Sequence, residues 1–346
     1  MESVIESLIN NPALPREQLL GYMTASVLTS FPVLMRAAFP RFFLVSYNYS
    51  LPGETTRFSG FPHSRFLRGW NMIKFCTLAS GSSGNSLYLE SKYSKILIDA
   101  GISFRRISRS LGSMGVAVSD LDAVVLSHEH EDHSRAVGKM SEVPVYVSGE
   151  TVGFWERKRN GYSNGNGGES SRPAGYRNGA IEKLREFDSE EPFCINDLTI
   201  IPFSVAHDAI DPVGFAVTDG RVKIGVVTDI GKPTALVVES LKGCDALVLE
   251  SNHDREMLFS GPYPPYLQQR ISGGHGHLSN DQSASLLGDV LHDGLKYVLL
   301  AHLSTKNNTP EKALGCSLGV LRRKGADGRV AVAVAPRNTV GEVITV

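Results

Sequence analysis

The densest chemistry in the chain sits in six consecutive residues, His128-Glu129-His130-Glu131-Asp132-His133. They follow the apolar run Ala123-Val124-Val125-Leu126, so the cluster begins where a buried strand is expected to end. Loops at strand ends are where catalytic groups gather. Three imidazoles and several carboxylates this close together cannot all face a core, because unpaired burial is costly and metal coordination is the common resolution. Imidazole nitrogen and carboxylate oxygen suit zinc, manganese or iron. The alternative is a solvated polar loop, and the tight HxHxDH spacing directly after a strand argues against it. One segment cannot close a site for two metals, so further ligands are expected at other strand ends. His207 follows the strand ending at Ser204, Asp229 follows Gly225-Val226-Val227-Thr228, and His302 follows Val298-Leu299-Leu300-Ala301. Each alone reads equally well as a surface histidine or a turn aspartate. Asp99, after Lys95-Ile96-Leu97-Ile98, is a further acid at a strand end, suited to orienting a ligating histidine from behind.

These side chains need a scaffold, and from Met72 onward the chain supplies one. Strands are expected at Met72–Ala79, Asp122–Ser127, Pro144–Ser148, Ile181–Glu186, Phe193–Ser204, Val213–Thr218, Lys223–Thr228, Ala246–Glu250, Tyr297–Ala301 and Arg329–Ala335, with a hairpin of Ser86–Glu90 and Lys95–Asp99. Helical spacing covers Phe104–Leu111, Ser134–Lys139, Val152–Arg157, Thr234–Leu241, Asn280–Leu291 (with Ser279 as N-cap) and Pro310–Leu321. Helices interspersed among strands in this way predict sheets covered by helical outer layers.

Composition limits the alternatives. The 346 residues carry 35 Lys+Arg against 36 Asp+Glu, so charge alone does not point to nucleic acid. Cys76, Cys194, Cys244 and Cys316 are widely spaced without a CxxC pair, which predicts reduced thiols in a cytosol-like compartment. Residues 1–71 read as an N-terminal extension, expected to be poorly ordered. Its apolar stretch Ser26–Tyr47 is broken by Pro32, Arg36, Pro40 and Arg41, too often for a membrane span. Glu2 and Glu6 at its start disfavour a targeting signal, and organelle targeting is the alternative to a cytoplasmic location. Asn160–Ala180, rich in Gly, Asn and Ser, predicts a flexible surface insertion within a domain spanning 72–346.

Two segments bear on anions. Ser80–Ser86 is a Gly/Ser loop after a strand, and Ser82, Ser83, Gly84 and Asn85 could contact phosphate through backbone amides. It lacks a Walker lysine and a following helix, and a tight turn supporting the site is an equal reading. Arg105, Arg106 and Arg109 on one predicted helix read as a solvated basic face more readily than as a polyanion contact.

Taken together, His128-x-His130-x-Asp132-His133 with His207, Asp229 and His302 resembles the metallo-β-lactamase fold superfamily over about residues 72–346. Within it, the chain resembles the YycJ/WalJ group of metal-dependent exonucleases through four stretches. These are Leu78–Ser86, Leu249–Asp254, Gly276–Asn280, and His302-Leu303-Ser304 with Asn307-Asn308-x-Pro310. The resemblance implies an α/β fold, a four-layer αββα sandwich with two divalent ions, zinc or manganese, at one edge. It implies His128, His130 and His207 on one metal, Asp132, His133 and His302 on the other, and Asp229 bridging. It further implies a phosphodiesterase, a 5′-to-3′ exonuclease on DNA rather than RNA, attacking through hydroxide held between the metals. Asp132 is also a candidate proton acceptor. Glu250 and His277 resemble an acid–histidine pair acting on the scissile phosphate or leaving oxygen, with a structural turn histidine as the alternative. His253 and His275 stay open between functional and local roles. A competing activity on the same fold is small-molecule hydrolysis by a thioesterase, cyclic phosphodiesterase or lactonase. A non-catalytic scaffold would be expected to lack a ligand, and none is missing.

Overall fold

The computed structural model describes residues 72–159 and 183–346. The extension 1–71 and the insertion 160–180 lie outside the described residues.

Short, nearly continuous apolar runs, buried on both faces, make most of the strands. One sheet contains β1 (Lys74–Ala79), β2 (Ser86–Glu90), β3 (Lys95–Ile98), β4 (Ala123–Val125), β5 (Val145–Ser148) and β6 (Leu184–Phe187), with β14 (Ile344–Thr345) beside β1. The second contains β7 (Phe193–Ile195), β8 (Leu198–Ser204), β9 (Val213–Thr218), β10 (Lys223–Val227), β11 (Ala246–Glu250), β12 (Tyr297–Ala301) and β13 (Ala331–Val334), in that spatial order. β3 to β6 run parallel, as do β10 to β13.

Successive side chains point to opposite faces of a strand. Ile96 and Ile98 of β3 therefore meet Ile224 and Val226 of β10 in a core between the sheets, with Phe75 and Phe215. Leu97 faces the other way and packs with Ile107, Leu111 and Trp155. Those residues belong to α1 (Phe104–Ser113) and α3 (Gly149–Arg159), which cover the first sheet. α4 (Ala235–Leu241), α7 (Asn280–Val290) and α8 (Pro310–Arg323) cover the second through Val237, Leu286, Leu287 and Leu321. The expected four-layer αββα sandwich results. Side-chain caps set the helix starts: Ser103, Thr234, Ser279 and Thr309 each accept a backbone N–H from the first turn. On α1, Arg105 and Arg109 are exposed, as a solvated basic face requires, whereas Arg106 is half-buried with Nη2 out of solvent.

The structure differs from the sequence reading at several points, among them the added strand β14 after the expected last strand. The single strand expected over Phe193–Ser204 is the β7–β8 hairpin, turned at Asn196, whose φ of +49° Asn tolerates better than most residues. The helix expected over Ser134–Lys139 is replaced by α2 (Glu131–Ser134), which begins inside the HxHxDH motif, and a 3₁₀ turn at Val137–Lys139. Finally, α5 (Arg255–Ser260) and α6 (Pro265–Ser272) follow β11. Between them they bury only Leu258, so no apolar period announces them. No helix among the described residues is long and apolar enough to cross a membrane.

One close approach holds the HxHxDH motif in place. Asn85 N–H donates to Asp132 O at 2.7 Å and Ala100 N–H to His133 O at 2.7 Å. A Cβ on Gly101 would lie 1.5 Å from Asp132 O, so only glycine fits. Gly101→Ala is expected to lower stability by about 3 kcal/mol or more in urea unfolding. A wild-type midpoint would show that this contact does not fix the motif.

Candidate metal centre

The candidate residues gather at the ends of strands from both sheets. Asp99 follows β3, the HxHxDH motif follows β4, Asp229 follows β10, Glu250 ends β11, His302 follows β12 and His207 follows β8. Among the described residues, four non-glycine residues have left-handed backbone, and three of them are Asp99 (φ 63°), Asp229 (φ 54°) and His302 (φ 56°). Such conformations cost about 1–3 kcal/mol each and persist where the surroundings over-determine them. Here the amides are pinned: Asp99 N–H donates to Val125 O (2.9 Å), Asp229 N–H to Glu250 Oε1 (3.2 Å) and His302 N–H to Ser80 Oγ (2.8 Å).

Among the described residues four groups of donor atoms converge, each within 4.8 Å of one another: His128 with His130 and His207, Asp132 with His133 and His302, His128 with His133 and Asp229, and Asp229 with Glu250, His277 and His302. The polar partners decide which nitrogen is free. His133 Nδ1 donates to Asp99 Oδ2 at 2.7 Å, while Asp99 Oδ1 accepts from the backbone N–H of Ser127. The His133 Nε2 lone pair then faces Asp229 Oδ2 at 3.0 Å, and Asn85 Nδ2 donates toward the same nitrogen at 3.0 Å. His302 Nδ1 donates to Glu250 Oε1 at 2.7 Å, and His207 Nδ1 to Gly276 O at 3.2 Å. Both rings are left with Nε2 pointing toward the acidic cluster, where His207 Nε2 is 3.8 Å from Asp229 Oδ1.

This arrangement fits divalent cations. Asp229 Oδ2 and His302 Nε2 are buried without a hydrogen-bond partner among the described residues. Lone pairs facing a carboxylate need a positive charge between them, either a proton or a metal ion. The protonation behaviour reflects the same demand. Burial opposes charge on His133, yet Asp99 and Asp229 raise its pKa well above the ordinary imidazole value. Burial likewise opposes the Asp229 carboxylate, and His302 and His133 hold its pKa well below the usual range. Burial and the neighbouring His133 push His128 well below its usual pKa, and burial lowers His207, which leaves both neutral and able to ligate.

Glu250 is fully buried and anchors the opposite side. Its Oε1 accepts from His302 and from His277 Nδ1 (2.9 Å), and its Oε2 from the amides of Ile230 (3.1 Å) and Leu278 (3.0 Å). Burial works against its ionisation, but His277 and His302 lower its pKa to about 2. Burial also works against a charged His277, and Glu250 outweighs it, raising His277 to about 9. The His277 side chain keeps 21% of its exposure and Asp132 keeps 24%, so both reach the rim.

Of the Gly/Ser loop, Ser82 and Ser83 are exposed, and Asn85 is buried, accepting from Gly81 N–H at 2.8 Å. His253 is buried with Nδ1 unpartnered among the described residues, and burial lowers its pKa to about 4. His275 is exposed. Several supporting residues escaped the sequence reading. Glu129 accepts the amide of Ile210 with both oxygens (3.2 Å), tying the motif to the His207 loop. Asn252 Nδ2 donates to His302 O (2.9 Å), and Asn308 Nδ2 holds the carbonyls of Ser251 and Asn252. These are pairings across 50 or more residues, which spacing along the chain does not reveal.

Comparison with known proteins decides the family. A family model described as a beta-lactamase superfamily domain matches residues 94–302. The exodeoxyribonuclease YycJ of Bacillus anthracis is 31% identical over 256 residues, which span 73% of this chain and 90% of that protein. The chain belongs to the metallo-β-lactamase superfamily. Within that superfamily, the exodeoxyribonuclease WalJ of Streptococcus pneumoniae serotype 2 is 33% identical over 244 residues, 70% of this chain and 85% of that one. The metallo-β-lactamase fold protein YhfI from Bacillus subtilis covers 80% of this chain and 100% of its own, with a TM-score of 0.57 and 17% identity, a likeness of fold.

In a metallo-β-lactamase site built this way, the Asp99 charge should govern the basicity of His133. Asp99→Asn is expected to weaken divalent-metal binding about 10–100-fold while the protein stays folded. Competition with a chelating dye measures this. Unchanged affinity would separate Asp99 from metal binding.

Proposed function

We propose that this chain is a metal-dependent phosphodiesterase that removes nucleotides from the 5′ end of DNA. The observation that carries the reading is the double role of Glu250. One buried carboxylate oxygen accepts both from a candidate ligand, His302, and from a rim histidine, His277. A group able to bind metal and a group able to donate a proton are thereby locked to the same anchor. The names of the two relatives, both exodeoxyribonucleases, support DNA as the polymer.

In this reading His128, His130 and His207 would hold one ion and Asp132, His133 and His302 the other, with Asp229 available to both. Zinc and manganese both suit these donors. A bound pair of divalent ions supplies a lowered pKa for water and positive charge against phosphoryl oxygens. The chain's own residues do the rest. Asp99 and Glu250 fix the Nδ1–H tautomer of His133 and His302. His277 enters protonated, because Glu250 stabilises its imidazolium, and can release that proton to the departing sugar oxygen. Asp132 is the rim carboxylate placed to accept one.

The discriminating experiment compares 5′- and 3′-labelled DNA and RNA with a thioester, with added zinc or manganese. Release of nucleotides from the 5′ end of DNA, abolished by chelation, is expected. Thioester turnover without DNA cleavage would contradict the reading and favour a small-molecule hydrolase. His277→Ala is expected to lower kcat about 10²–10⁴-fold with metal content unchanged. Full activity in that variant would remove His277 from the chemistry.

A further inference from the structure

We propose that Arg337 and the turn Gly81–Gly84 form a subsite for a phosphate monoester, the terminal phosphate of the strand being degraded. The inference rests on the nuclease reading and adds a reason for action at strand ends.

Arg337 lies just beyond β13, at the same edge as the metal centre. Its Nη2 donates to Leu303 O at 3.1 Å, and Leu303 is the residue after His302. Its own carbonyl accepts the Ser80 amide at 3.4 Å, and Ser80 Oγ in turn holds the amide of His302. The guanidinium also lies beside the turn, since a Cβ on Gly81 would sit 3.7 Å from Arg337 Nε. Arg337 is half-buried, and among the described residues no carboxylate pairs with it. A partly desolvated guanidinium with one carbonyl as its partner is short of negative charge.

The turn supplies further donors. Gly84 N–H closes it onto Gly81 O at 2.8 Å, and Gly81 and Gly84 both have positive φ (121° and 146°). The Ser82 and Ser83 amides find no acceptor among the described residues, and both residues are exposed. Successive free amides in a turn make an anion-binding concavity. Arg135 also touches the turn, donating to Ser83 O at 3.0 Å, but its charge is met by Glu131 at 3.0 Å. Of the two arginines at the turn, Arg337 is thus the one with charge to offer. Asn85 and Ser80, which bound the turn, touch His133 and His302, so a phosphate held here lies next to the metal ligands.

The chemistry selects the kind of phosphate. An internal phosphodiester carries one negative charge, whereas a terminal monoester approaches two at neutral pH and has three acceptor oxygens. A guanidinium with free amides discriminates in favour of the monoester.

The test uses full-length, metal-loaded protein and fluorescence anisotropy with 5′-phosphorylated and 5′-hydroxyl oligonucleotides of one sequence, joined by phosphorothioate linkages that resist cleavage during the measurement. Wild type is expected to prefer the phosphorylated end about tenfold, the equivalent of one charge-assisted hydrogen bond. Arg337→Gln should erase the preference, and Arg337→Lys should retain part of it, which guards against a folding defect in either variant. Equal wild-type affinity for both ends, or an undiminished preference in Arg337→Gln, would overturn the inference. If wild type prefers the phosphorylated end but degrades no nucleic acid under any metal, the nuclease reading fails and the anion subsite stands. If it degrades DNA without end preference, the subsite alone fails.

Discussion

The site depends on the Asp229 carboxylate being buried among imidazoles whose outward hydrogen bonds are already committed. Asp99 takes the Nδ1–H of His133, and Glu250 takes that of His302. The remaining ring nitrogens turn inward, His133 Nε2 toward Asp229 at 3.0 Å and His302 Nε2 toward Asp132 at 4.0 Å. A buried anion facing electron pairs is unstable alone, and water is excluded from solvating it. Positive charge has to enter, and the neighbouring residues determine where it can sit. The buried acids behind the histidines therefore govern the site as much as the ligand candidates do.

The sandwich explains why such an arrangement can be built. Parallel strands β3–β6 and β10–β13 end along one edge, and residues just past them are carried by rigid backbone on two sheets packed through a common core. Three of those residues adopt left-handed backbone that the fold must stabilise elsewhere. The amide of Asp229 is pinned by Glu250, the same carboxylate that orients His302 and His277. Placement, tautomer and protonation are thereby coupled through one side chain.

Much of this was legible in the sequence. The HxHxDH cluster after an apolar run, with acids and histidines after later strands, marks candidate donors that the fold brings together, because the apolar runs show where each strand stops. Asp99 was legible for the same reason. The hidden parts have a common physical origin. Ser80, Asn252 and Asn308 act through partners far along the chain, and their residue types are ordinary for loops. The link from Glu250 to His302 was likewise invisible, although its pairing with His277 was anticipated. The β7–β8 hairpin is hard to see in the sequence because Asn196-Asp197 turns the chain without the glycine that most often marks a two-residue hairpin. Helices α5 and α6 left no pattern because they bury almost nothing.

The most direct measurement of the central claim is the number of divalent ions retained per chain after equilibrium dialysis against zinc or manganese, in wild type and in Asp229→Ala. Two ions per wild-type chain, falling in the variant, are predicted. A wild-type protein that retains no metal, or a variant that retains the full wild-type complement, would contradict the account.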